Sequence, residues 1–229
     1  MRSAEANYLA NIVNVLKSTK LSVNNFVDIG CGDGSNTLLI SRSINATNVY
    51  GVDFDDKYLK IANKRGITSY KRNISKPNWV SGLPKVDFVY SNQTIEHLYS
   101  VDDYIKNIRK LLKKNGHLLV STENLSSWHN IISMLLGFQP FSLTNISVKC
   151  WSIGNPFTLE KKGHHNHLMI HRSVFTSYAL QVFLKMYGFE IIRVISSGYY
   201  PLPNNILGNL FAKLDPRHSV YMAVLAKKK

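Results

Sequence analysis

The sequence is short of acids, nearly without cysteine, and has no long apolar run. Each shortage narrows what the chain can be. Only 14 aspartates and glutamates stand against 28 lysines and arginines, for a net charge of +14. Such an excess favours anionic partners, nucleic acid or anionic lipid headgroups among them. The lysines are nevertheless scattered, apart from the last three residues, and no arginine-rich stripe with interleaved aromatics occurs, so the case for nucleic acid is the weaker one. Cys31 and Cys150 lack any metal-type spacing, and Cys31 lies between glycines, a poor place for a disulfide. Nothing points to an oxidising compartment, and a cytoplasmic location is expected. No segment approaches the roughly 18 apolar residues of a membrane span. The opening MRSAEANYLANIV carries charge and lacks an apolar core followed by a cleavage site, so it reads as a first helix rather than a signal peptide.

What is present is an alternation of apolar runs and helical patterns in a chain of 229 residues, 45% of them hydrophobic. That is the pattern of parallel βαβ units in one α/β domain covering 1–229. Strands are expected at NNFVDIG, TNVYGVDF, ITSYKRN, KVDFVYSN, HLLVSTEN, FEIIRVIS and SVYMAVLAKK. Helices are expected at Ser35–Ser43, Asp55–Arg65, Val101–Lys114 and Phe175–Tyr187. A loop, rather than a clear helix, is expected between the last two strands, which would let them pair antiparallel.

VDIGCGDGSNT, residues 27–37, places three alternating glycines directly after the first strand. Glycines there allow a tight turn and the close approach of a ligand to the backbone. An acid, Asp53, ends the next strand about twenty residues further on, the spacing at which a carboxylate meets the hydroxyls of a ribose. A dinucleotide fingerprint would need glycine where Ser35 stands, and a phosphate-cradling P-loop would need a lysine that is absent. The run is D-x-G-x-G-x-G.

Together with Val52-Asp53-Phe54 and the stretch Asp87 to Leu98 (DFVYSNQTIEHL), this run resembles the class I S-adenosylmethionine-dependent methyltransferases. The likeness is to the small-molecule branch that includes quinone-biosynthesis enzymes. The resemblance covers about residues 20–125 and resumes over 172–195. It implies a Rossmann-like seven-stranded sheet of order 3-2-1-4-5-7-6, helices on both faces, and S-adenosylmethionine as cofactor. Carried over, Gly30, Gly32 and Gly34 line the methionine and ribose, and Asp28 orients the loop and the amino group. Asp53 holds the ribose hydroxyls and Phe54 lies against the adenine. Asn73 stands where the family often has an aspartate for the adenine amino group. Ser91, Asn92 and Gln93 border the methionine end.

The acceptor is expected to bind around residues 92–98 and an insertion at about 125–172, read as a lid. This segment holds five of the chain's eight histidines and a single acid, Glu160. His97 and His167 are the candidate general bases for a hydroxyl acceptor, because imidazole titrates near neutral pH. No metal is expected. Some RNA-end methyltransferases carry a metal-binding E-x-x-E-H-H run, and Gln93-Thr-Ile-Glu96-His97-Leu98 lacks two of those ligands. The expected activity is methyl transfer to a small-molecule, glycan or lipid-linked acceptor, at oxygen. An RNA methyltransferase and a non-catalytic, cofactor-binding regulatory protein are the alternatives. The apolar LLGFQPF, residues 135–141, either caps the pocket or makes peripheral membrane contact.

Overall fold

The computed structural model describes residues 2–158, 170–202 and 206–229. Its strands are β1 (Asn25–Ile29), β2 (Asn48–Asp53), β3 (Thr68–Lys71), β4 (Val86–Asn92), β5 (Leu112–Glu123), β6 (Phe189–Ser197) and β7 (Tyr221–Lys228). Its α-helices are α1 (Arg2–Ser18), α2 (Ser35–Ser43), α3 (Asp56–Lys64), α4 (Val101–Leu111), α5 (Trp128–Leu135), α6 (Ser177–Met186) and α7 (Ile206–Leu214). One seven-stranded sheet runs β3-β2-β1-β4-β5-β7-β6. The first five strands are parallel, and β7 lies antiparallel between β5 and β6. This is the expected order and class.

Strand parity divides the core. On one face Phe26, Phe88, Tyr90 and Leu119 meet Tyr8, Ile12 and Leu16 of α1 and Ile40 of α2. On the other, Val27, Val89, Leu118 and Val120 meet α4 and α6. In α4, Tyr104, Ile105, Ile108 and Leu111 form one buried stripe at the spacing of a helical face. Each such side chain contributes roughly 1.5–3 kcal/mol on burial. Ser100 caps the helix by accepting from the Asp103 N–H.

Two sequence expectations are corrected. Helix α4 ends at Leu111 rather than Lys114, because residues 112 onward already belong to β5. The pairing of β5 with β4 skips from Leu112 to His117, and the intervening residues loop out through Asn115 at φ 61°. A helix, α7, lies between β6 and β7, where a loop was expected. The antiparallel pairing follows from β7 entering the sheet between its neighbours, not from a short connection. Among the described residues, no helix is long and apolar enough to cross a membrane.

Candidate active site

Strand order reverses at β1, which has β2 on one side and β4 on the other. A crevice opens beyond the carboxyl ends of parallel strands at such a point. Here it is a cavity of about 180 Å³ lined by Asp28, Gly30, Cys31, Gly32, Asp33, Ser35, Asn36, Tyr90 and Asn92. A larger surface hollow of about 570 Å³, lined by Phe138, Ser152, Gly154, Asn155, Pro156 and Thr158, belongs to the insertion and contains no titratable side chain.

The three glycines do different work. Gly30 and Cys31 donate to the Val52 carbonyl, locking the loop to β2. A Cβ on Gly30 would meet Thr94 Oγ1 at 2.7 Å. A Cβ on Gly34 would collide with Ile67, and its φ of 82° is itself unfavourable to a side chain. A Cβ on Gly32 would meet nothing, because that side of the backbone is open cavity. Arg65, just past α3, ties down the loop's far end through Asp33 and Ser35.

Asp28 is buried. One carboxylate oxygen accepts from Thr37 Oγ1 at 2.6 Å, and the other, Oδ1, has no partner. Burial pushes its pKa up to about 7, opposed by the Thr37 bond and assisted by the Asp53 charge. The Asp53 carboxylate accepts from the Gly32 N–H at 2.9 Å and from the Phe54 and Asp55 N–H groups at 2.7 and 3.0 Å. It is thereby fixed beside the central glycine, with acceptor capacity left on Oδ2. Phe54 stands half exposed next to it. Asn73 is exposed and spends its oxygen on the Ser75 N–H, and it does not line the cavity.

β4 supplies the far wall. Asn92 lines the cavity and accepts from Ser121 Oγ at 2.6 Å. Ser91 turns the other way and hydrogen-bonds the Tyr104 hydroxyl at 2.6 Å, within the core under α4. Its side chain therefore does not border the cavity as expected, and Tyr90, which sequence reasoning missed, does. After Asn92 the chain passes through Gln93 at φ 49°, a strained turn that swings Thr94 against the glycine loop.

Beyond that turn lies a second cluster. Glu96 is 1% exposed, and neither carboxylate oxygen makes a well-formed hydrogen bond. Burial raises its pKa to about 8, opposed by weak donation from its own backbone N–H and from the Thr122 hydroxyl, with the Glu123 charge adding to the rise. His97 Nδ1 lies 3.2 Å from the Ile170 carbonyl, and His171 Nδ1 lies 2.7 Å from the Ser142 carbonyl. The two imidazoles are 5.0 Å apart between centroids. Burial, then the His171 and Arg172 charges, hold His97 down to about 4, against the bond to Ile170. The Arg172 and Ser173 N–H groups donate to the Glu96 carbonyl at 2.7 and 3.1 Å, pinning the end of the insertion to this turn. His167 lies outside the described residues.

Comparison with known proteins agrees with this geometry. A family model described as a methyltransferase domain matches residues 1–194. A ubiquinone biosynthesis O-methyltransferase of Pelagibacter ubique is 30% identical over 112 residues, which cover 48% of this chain and 44% of that protein. A malonyl-[acyl-carrier protein] O-methyltransferase of Calditerrivibrio nitroreducens is 26% identical over 131 residues, 56% of this chain and 51% of that one. The chain thus spans about half the length of the curated relatives it matches. A crystal structure of a SAM-dependent methyltransferase from Thermotoga maritima shares the fold, with a TM-score of 0.60 at 16% identity, over 96% of this chain and 89% of that one. The family model spans α1 to β6 and takes in the glycine loop, Asp53 and the β4 turn, and on that match the chain belongs to the methyltransferase-domain family.

Proposed function

We propose that this chain transfers a methyl group from S-adenosylmethionine to an oxygen of a small-molecule, glycan or lipid-linked acceptor. One observation carries the reading. Asp28, with its unpartnered Oδ1, and the open side of Gly32 line a single crevice at the reversal of strand order, and Asp53, with spare acceptor capacity, is held against the Gly32 N–H just behind that lining. A buried carboxylate oxygen left without a donor costs stability unless a ligand satisfies it, and an ammonium group does so. Gly32 admits a ribose-sized group against bare backbone, and Asp53 can accept from its hydroxyls. Phe54 offers an exposed ring face for a base. In this reading Gly30 and Gly34 shape the loop, Asn92 borders the methionine end, and Asn73 and Ser91 contribute through backbone alone.

When bound, S-adenosylmethionine supplies an electrophilic methyl on a sulfonium. The protein's task is to hold an acceptor atom in line with it and exclude water. Glu96, His97 and the 125–172 segment supply the acceptor side, the latter as a lid in a single 1–229 domain. His97, held neutral and pinned through Nδ1, presents Nε2. The oxygen preference draws on the names of the two curated relatives, both O-methyltransferases. A cytoplasmic location is consistent with two free cysteines.

The test is label transfer from methyl-labelled S-adenosylmethionine into fractionated extract of the source cells, with a nuclease-treated control. Label in a nuclease-resistant organic or glycan fraction is expected. Label lost on RNase treatment would replace this reading with an RNA methyltransferase, which the charge of +14 favours.

A further inference from the structure

The acceptor side contains an arrangement that the methyl-transfer reading does not require. Glu96, His97 and His171 each offer a ligand atom, and these atoms all lie within 4.8 Å of one another. The two histidines are prepared alike. Each Nδ1 faces a backbone carbonyl, Ile170 O for His97 and Ser142 O for His171. A carbonyl only accepts, so Nδ1 carries the proton and Nε2 keeps its lone pair. That is the arrangement by which outer-shell carbonyls orient metal-binding imidazoles. Beside them stands a fully buried carboxylate whose oxygens make no well-formed hydrogen bond, although its own backbone N–H and the Thr122 hydroxyl face it. A second carboxylate, Glu123, has Oε2 3.9 Å from His171 Nδ1. The cluster thus gathers two acids and two lone-pair nitrogens, and the Arg172 guanidinium lies 3.6 Å over the Tyr99 ring.

We infer that Glu96, His97 and His171 bind one divalent first-row transition cation, with coordination positions left open toward the acceptor. Two imidazoles and one carboxylate form a donor set suited to zinc, manganese, iron or cobalt rather than to calcium or magnesium. Ligands bonded at about 2.1 Å stand roughly 3–4 Å apart around such an ion. The donor atoms need to draw in by about an ångström, within reach of side-chain rotation. The ligands come from two places in the chain, joined by the bonds from Arg172 and Ser173 to the Glu96 carbonyl. The cation would neutralise the buried Glu96 carboxylate. The binding claim stands on these side chains alone. Only the direction of the open positions, toward an acceptor oxygen, rests on the proposed methyl transfer.

The experiment is titration of untagged, metal-stripped full-length protein with Co²⁺, read by its visible ligand-field absorption, and with Zn²⁺ in equilibrium dialysis. One equivalent per chain is expected. Glu96→Gln, which keeps the shape of the buried group, and His171→Ala should each weaken binding by about tenfold or more. Thermal melting and S-adenosylhomocysteine binding of both variants verify the fold. The triple variant His164→Ala/His165→Ala/His167→Ala should bind as the wild type does. No binding by the wild type, or binding retained in a folded Glu96→Gln, overturns the inference. So does loss confined to the triple variant, which would assign the metal to the histidine-rich stretch. Cofactor binding is read separately, so failure of the metal site and failure of the methyltransferase reading are distinguishable.

Discussion

At the scale of single residues, the most consequential group is Asp28. Its carboxylate is buried, has one oxygen bonded to Thr37, and is pushed up to about 7 by desolvation. The sign of its linkage follows. The folded protein holds this proton more tightly than the unfolded chain, whose carboxylate titrates near about 4. Its contribution to stability is therefore full below about pH 4 and is lost as pH rises toward about 7. Ligand binding runs the other way, since an ammonium group prefers the ionised carboxylate. Affinity for S-adenosylhomocysteine should rise about tenfold between pH 6 and pH 8, following the ionised fraction of a group titrating near 7. In Asp28→Asn both effects should vanish: weaker, pH-independent binding, and no Asp28-linked fall in stability. Calorimetric titration at three pH values checks this, and a flat wild-type profile would remove Asp28 from the amino-group role.

Residue identities were readable where they punctuate the backbone and obscure where they depend on which way a side chain points. The alternating glycines and Asp53 announce themselves. Ser91 does not, because a one-residue difference in strand parity decides between cavity and core, and both Tyr90 and Ser91 suit either. Asn73 carries no sign that a local turn will take its oxygen. His171 becomes a partner of His97 only through the carbonyl of Glu96, a contact across more than seventy residues of chain.

Elements follow the same logic. α3 and α4 show apolar spacing behind side-chain caps from Asp55 and Ser100, and α2 is announced by the glycine that starts it, so sequence and structure agree to within a few residues. α7, ILGNLFAKL, has glycine and asparagine inside it and little polar contrast, so no helical face stands out from the sequence. The junction of β1 and α2 is the element-scale feature on which the site depends. Gly34 occupies the helix cap at φ 82°, with Ala62 and Ile67 packed where a side chain would go. Gly34→Ala should destabilise the fold by about 2–3 kcal/mol, through left-handed strain plus displacement of Ile67. Gly32→Ala, with no neighbour to displace, should cost less stability yet weaken cofactor binding more. Denaturant melts paired with ligand titration separate the two. Equal losses at both positions would mean that the loop acts only as a turn.

At the scale of the whole molecule, charge and exposed apolar surface meet at one end. Trp128 Nε1 donates to the Tyr199 hydroxyl at 2.6 Å, and Tyr199 donates to Asp215, which follows α7. The Trp128 and His218 rings lie 4.4 Å apart. These contacts bring the start of α5 to the end of α7. Both helices then expose apolar side chains: Ile132, Met134, Leu135 and Leu136 at one, Leu207, Leu210, Phe211 and Leu214 at the other. Leu135 is 81% exposed, whereas Pro140 is buried. Lys213 and Arg217 stand beside the second group, on a chain of net charge +14. Apolar side chains flanked by cations suit the headgroup boundary of an anionic bilayer, and a lipid-linked acceptor would be met there. The protein should sediment with vesicles containing anionic lipid, less so as salt rises, and Leu135→Ser/Leu136→Ser should lower the bound fraction at constant salt. Unchanged sedimentation of the double variant would assign the binding to charge alone, and no sedimentation of the wild type would leave a soluble acceptor as the substrate of this site.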